Sequence, residues 1–136
     1  MTLMLSLVRT QPPCHMSAQL FDWSAPQALS GFDVILACDV LYEDFSVEPL
    51  ADLVPSLLSK GPHARLLLSD PAARTPQNRE RFLQLLGSRR DGLSLNVEEA
   101  VTSNFEFKDS PQDGLQTAVV LTTLRRRLGG DMVGVK

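Results

Sequence analysis

Phe32-Asp33-Val34-Ile35-Leu36-Ala37-Cys38-Asp39-Val40-Leu41-Tyr42-Glu43 is the stretch on which the fold turns. Its apolar run, Val34 to Cys38, stops at an acidic residue, and an aromatic follows three positions later. A short, nearly continuous aliphatic run suits a strand buried on both faces of a parallel sheet. In open α/β sheets, ligands bind in the crevice beyond the strand carboxyl ends. The stretch therefore predicts a buried parallel strand over Phe32 to Cys38, with Cys38 inside, and one edge of a ligand site beginning at Asp39.

Downstream, Leu50, Leu53, Val54, Leu57 and Leu58 recur at three- and four-residue spacing and predict a helix over Asp44 to Leu58. Ser46 is the expected N-cap, Glu48 suits the positive helix end, and Pro49 falls in the first turn, where a missing N–H costs little. Pro55 should kink this helix or leave a carbonyl to water. Lys60-Gly61-Pro62 ends it. Ala64 to Ser69 reads as a second buried strand, stopped by Asp70-Pro71. Thr75 is an N-cap before Pro76 at the first helical position. That helix runs to Leu86, buries Phe82, Leu83, Leu85 and Leu86, and stops at Gly87. Leu93 to Val101 alternates loosely as a third strand. Asp109 to Gly114 is a turn-rich loop, and Thr117 to Leu124 a final β-branched strand. Upstream, Ser17 to Trp23 is a short strand candidate and Ser24 to Gly31 a connection. The class is α/β: strand–helix–strand units give parallel pairs with right-handed crossovers, and the last two strands, with no helix between them, should pair antiparallel.

The chain has 136 residues, enough for one domain with a real core. Its net charge of −3 argues against a nucleic-acid-binding surface, which carries a basic excess. Arg125-Arg126-Arg127 is the one basic run, and it reads as a solvated strand exit rather than a phosphate clamp. Cys14 and Cys38 form no disulfide framework, and adjacent Cys14-His15 with distant His63 is poor zinc geometry. No metal is expected, and the cysteine usage points to the cytoplasm or an organelle rather than to secretion. No run reaches the about 18 apolar residues of a membrane span. Residues 1–16, including apolar Met1 to Val8, read as a poorly ordered leader, 17–125 as the domain and 126–136 as a tail.

Four segments in order carry a family resemblance. Asp39-Val40-Leu41-Tyr42 resembles the D-x-x-Y signature that follows the fourth strand of lysine-methyltransferase-type enzymes, a branch of the seven-stranded class I methyltransferases. Phe32 to Ala37 is similar to the approach of that strand. Leu20-Phe21-Asp22-Trp23 resembles the family's L-D-W segment, interrupted by Phe21, and Arg79-Glu80-Arg81-Phe82 resembles the helix after the fifth strand. The resemblance covers Ala18 to Leu124. It implies the C-terminal half of a Rossmann-like methyltransferase sheet, with strands four and five parallel and joined by crossover helices, and a final antiparallel strand pair. It implies S-adenosylmethionine as cofactor and a protein lysine as methyl acceptor. The cofactor-binding residues would be Asp22, Trp23 and Cys38, with Trp23 stacked on the adenine and Cys38 near the adenosine. Asp39 and Tyr42 would sit where the sulfonium meets the incoming amine.

The residue types suit that chemistry. Methyl transfer needs a neutral amine aligned behind the methyl carbon, and such alignment offers the greatest lowering of the barrier. A carboxylate such as Asp39 holds the amine and accepts its growing charge, and Tyr42 orients the nitrogen or stabilises the cation through its ring. The proton goes to water or a carboxylate. Each residue also has a plain structural reading: Asp39 as a helix-start acid, Tyr42 as a core aromatic under the next helix, Trp23 as a cover for the sheet edge, Cys38 as a small buried hydrophobe. Asp70 either faces the site or merely stops its strand.

One departure is large. The family's cofactor cradle begins with a glycine-rich turn after the first strand, and here no G-x-G occurs among glycines 31, 61, 87, 92, 114, 129, 130 and 134. The acid expected after the second strand is also missing. The strand over Phe32 to Cys38 should then be an exposed apolar edge. Two accounts follow: a fragment truncated at its N-terminus, which needs fewer assumptions, or a chain completed by another. The chain alone is expected to be inactive. The alternative from a different class is a non-catalytic interaction module or partner subunit that uses its open sheet edge.

Overall fold

A computed structural model describes residues 14–18, 21–23, 29–90, 92–106 and 116–127. The elements are β1 (Val34–Cys38), α1 (Asp44–Leu57), β2 (Arg65–Pro71), α2 (Pro76–Ser88), β3 (Leu95–Glu106) and β4 (Gln116–Arg126). They form an α/β unit with one mixed, open sheet in the order β1-β2-β4-β3. β1 and β2 run parallel, in register from Val34 with Arg65 to Cys38 with Ser69. β4 lies between β2 and β3 and is antiparallel to both. This arrangement is compatible with a partial Rossmann-like sheet, and the antiparallel β3–β4 pair is as expected.

Both helices pack on one face of the sheet. Leu66 and Leu68 of β2 and Leu124 of β4 meet Val47, Leu50, Ala51 and Val54 of α1 and Phe82 and Leu86 of α2 in one buried cluster. Fully burying each Leu or Phe contributes about 1.5–3 kcal/mol, so this one-sided layer supplies most of the apolar stabilisation. β2 alternates between buried and half-buried residues, as a strand covered on one side must.

The expectation of strands buried on both faces is therefore corrected. Among the described residues nothing lies over the second face, and β1 is the sheet edge. Leu36 is 70 % exposed, and Cys38 is exposed rather than buried. Leu36, Leu67, Leu121 and Val101 line a shallow apolar groove there of about 440 Å³. The exposed edge itself is as expected.

Ser17, Ala18 and Phe21 to Trp23 are irregular, so the short upstream strand is not found there; Gln19 and Leu20 lie outside the described residues. The Met1 to Val8 leader and the Asp109 to Gly114 loop also lie outside them. β1 begins two residues later than expected, with Phe32 making an isolated parallel bridge to Leu58. β3 extends to Glu106, with a register shift between Val97 and Glu99.

Helix α1 is capped three residues before the expected Ser46. Glu43 is the N-cap and Asp44 the acid of the first turn, while the Ser46 hydroxyl donates back toward Glu43 O at 2.7 Å and Val40 O at 3.2 Å. Glu48 instead ion-pairs with Arg81 of α2. Pro49 and Pro55 both lie inside the helix. Pro55 denies Ala51 O its usual helical donor, and Arg89 Nη1 takes that place at 3.3 Å. That carbonyl is therefore not left to water. At the other end Arg126 donates to Pro55 O at 2.6 Å, Leu58 O at 2.9 Å and Ser59 O at 3.2 Å. The basic run is thus not a plain solvated exit: its middle residue caps α1, where the helix end is electronegative. Thr75 is the N-cap of α2 with Pro76 following, but the helix passes through Gly87 to Ser88.

Candidate functional site

The carboxyl ends of β1 and β2 lie side by side, and two acids follow the last register pair, Cys38 with Ser69. Asp39 and Asp70 are consecutive to those partners. Asp39 N–H donates to Ser69 O at 2.7 Å, continuing the ladder, and Asp39 then turns the chain with φ of 51°. Thr75, with φ of 50°, is the other non-glycine residue with positive φ among the described residues. Such a conformation is costly for a β-branched side chain and persists only where surrounding contacts enforce it.

Those contacts converge on Leu41. Its side chain is buried, and its carbonyl accepts from Thr75 Oγ1 at 2.9 Å and from Asn78 Nδ2 at 3.0 Å. The hydroxyl of Thr75 serves Leu41 rather than capping α2, which is why no side-chain cap bond forms there. The first turn of α2 thereby clamps the loop after β1. With Leu41 anchored inward, Asp39 and Tyr42 flank it toward solvent. Tyr42 is 53 % exposed, so it is not a core aromatic. Asp39 is not only a helix-start acid, since its carboxylate is held by the Arg74 guanidinium from the β2–α2 loop.

Asp70 sits on the helix-facing side of β2 and is 6 % exposed. It does not stop the strand: it pairs with Val120 of β4, and β2 continues to Pro71. Its Oδ2 has no hydrogen-bond partner. Burial pushes the Asp70 carboxyl from an ordinary 3.8 up to about 6; the Arg79 guanidinium opposes this and the Asp39 carboxylate adds to it. Two neighbouring acids thus differ in character: Asp39 is paired and partly open, whereas Asp70 is enclosed and its pKa is raised.

Asp22 is exposed and Trp23 half-buried, and the Trp23 ring packs against the same core as Ile35, Ala37 and Val40. Cys38 opens onto the uncovered sheet face, where it lines the apolar groove with Leu36. Arg74, Thr75, Asn78 and Arg79 belong to this site without any motif that announces them. Their only sequence signal is position: they follow the second strand end within one loop and one helical turn. Among the described residues no three His, Cys, Asp or Glu side chains gather as a metal site, and no helix is long and apolar enough to cross a membrane. No protein-family model matches the chain, and no curated protein matches it.

Proposed function

We propose that this chain is the acceptor-side part of an S-adenosylmethionine-dependent methyltransferase of the protein-lysine type, acting in the cytoplasm. The observation that carries the reading is the enforced turn after β1, in which Asp39 takes positive φ while Thr75 and Asn78 clamp Leu41 O. Backbone strain held by a dedicated clamp, at the carboxyl end of a parallel strand, marks a position shaped for a ligand. The residues present fit one side of such a site. S-adenosylmethionine supplies the methyl group when bound. Asp39 orients the lysine amine, and Tyr42 offers its hydroxyl and ring to the nitrogen as it gains charge. Trp23 would provide a flat apolar face for the adenine, and Asp22 and Cys38 would border the adenosine. The glycine-rich side of the cradle is not in this sequence, so activity requires a complement and the chain alone is expected to be inactive.

Calorimetric titration with S-adenosylhomocysteine tests the reading. Micromolar binding, about −8 kcal/mol, that weakens in Trp23→Ala would support it. In a complemented enzyme, Asp39→Ala should abolish methyl transfer more than cofactor binding. Cofactor binding unchanged by Trp23→Ala would remove that residue's role, and transfer unchanged by Asp39→Ala would sink the catalytic assignment.

A second reading, a non-catalytic interaction module, is favoured by a different observation. Leu36 at 70 % exposure on an edge strand, beside an uncovered apolar groove, is a surface that a partner strand or layer would bury. A folded chain that ignores S-adenosylhomocysteine yet self-associates, or binds a partner, through this edge would favour the module.

A further inference from the structure

At the opposite end of the sheet from Asp39, the loop before β2 and the end of β4 enclose a second cavity, of about 370 Å³. Lys60, Arg125, Arg126 and Arg127 line it together with one carboxylate, Glu98. We propose that this cavity is a binding site for a small phosphate-bearing anion.

The balance of charge within the cavity leads to that ligand. Glu98 is already engaged by Arg125, with Nε to Oε2 at 2.7 Å. Arg127 Nη2 meets only the neutral Asn96 Oδ1, at 3.3 Å. Among the described residues neither Lys60, Arg126 nor Arg127 is ion-paired with a carboxylate. Four cations therefore share one acid, and three of them are left without a carboxylate partner among the described residues, in a chain whose net charge is −3.

Arg126 makes the case specific. Its Nε and Nη2 are engaged by the carbonyls that end α1. Those bonds fix the guanidinium plane. Its Nη1 is buried with no hydrogen-bond partner. A half-buried guanidinium without a paired carboxylate is costly unless an anion lies close by. The exposed ends of Lys60 and Arg127 can donate charge-assisted hydrogen bonds to phosphate oxygens. The volume exceeds that of one phosphate, and Pro62 and Ala64 offer a small apolar wall, which suits pyrophosphate or the phosphate end of a larger metabolite. This inference does not rest on the methyltransferase reading, since no residue is shared with the Asp39 site.

The test is calorimetric titration of the full chain with pyrophosphate and then inorganic phosphate, against chloride at matched ionic strength. Saturable one-site binding is expected, falling at least about tenfold in Lys60→Gln/Arg127→Gln and unchanged in Asp39→Ala. Both substituted side chains are exposed, so thermal unfolding of the double variant should match the parent. Absence of saturable binding, or equal binding by the double variant, would overturn the proposal.

Discussion

Replacing Asp70 by Asn should change how stability depends on pH more than it changes the fold. In the folded protein the Asp70 carboxyl is shifted from 3.8 up to about 6, chiefly by burial. A raised acid pKa means the folded state holds the proton more tightly than the unfolded chain. The associated stability is fully present below about pH 4 and is lost as pH rises through about 6. The shift of roughly two units, at 1.36 kcal/mol each, amounts to about 3 kcal/mol. Because Asp70 is 6 % exposed, solvent screening removes little of this. Asn resembles the protonated acid in size and never ionises. Asp70→Asn should thus match the parent at about pH 4 and exceed it by up to about 3 kcal/mol at about pH 7.5, most of the gap opening between. Urea unfolding of both proteins across that range reads the difference directly, and titrating groups remote from Asp70 cancel. A gap that is constant with pH would refute the reasoning, as would a parent that gains on the variant as pH rises.

Asp39→Gly should unfold at higher urea than Asp39→Ala by about 1 kcal/mol, because glycine accepts the positive φ that alanine resists. Either loses an Arg74 ion pair whose partners are roughly half-exposed, worth at most about 1 kcal/mol. Arg126→Ala should cost about 2–3 kcal/mol, since the carbonyls of Pro55, Leu58 and Ser59 lose a charged donor together; a loss under about 0.5 kcal/mol would mean that water caps α1 equally well. Leu66→Ala, at a fully buried position, should cost about 2–5 kcal/mol. Leu36→Arg should leave stability nearly unchanged yet reduce association in light scattering, and undiminished association would place the sticky surface elsewhere.

Much of the architecture is legible in local patterning. The aliphatic runs ending at Asp39 and Asp70 fall in β1 and β2, the Leu stripe forms α1, and the Thr75-Pro76 start and the antiparallel final pair stand where the patterning puts them. These succeed because periodicity, proline position and chain order act over a few residues. Patterning misplaces Cys38 because an aliphatic run reports apolar side chains, not whether anything covers them. It misassigns Ser46 because several polar residues could start the helix, and backbone geometry chose Glu43. The candidate site is half visible: Asp39 and Tyr42 announce themselves, whereas Arg74, Thr75 and Asn78, more than thirty positions away, become its partners only when β1 and β2 align.

The sequence by itself determined the α/β class, the parallel pairing across α1 and the acid at the strand end, because hydrophobic spacing and the handedness of crossovers leave few alternatives. It also determined that no glycine-rich cradle lies within the chain. Only the tertiary structure decided which face of the sheet is covered, that Asp70 is enclosed with a raised pKa, that Arg89 and Arg126 satisfy the carbonyls of a proline-bearing helix, and that four cations share one cavity. These depend on distances between segments remote in sequence, where burial and charge are properties of the assembled neighbourhood rather than of any residue in it.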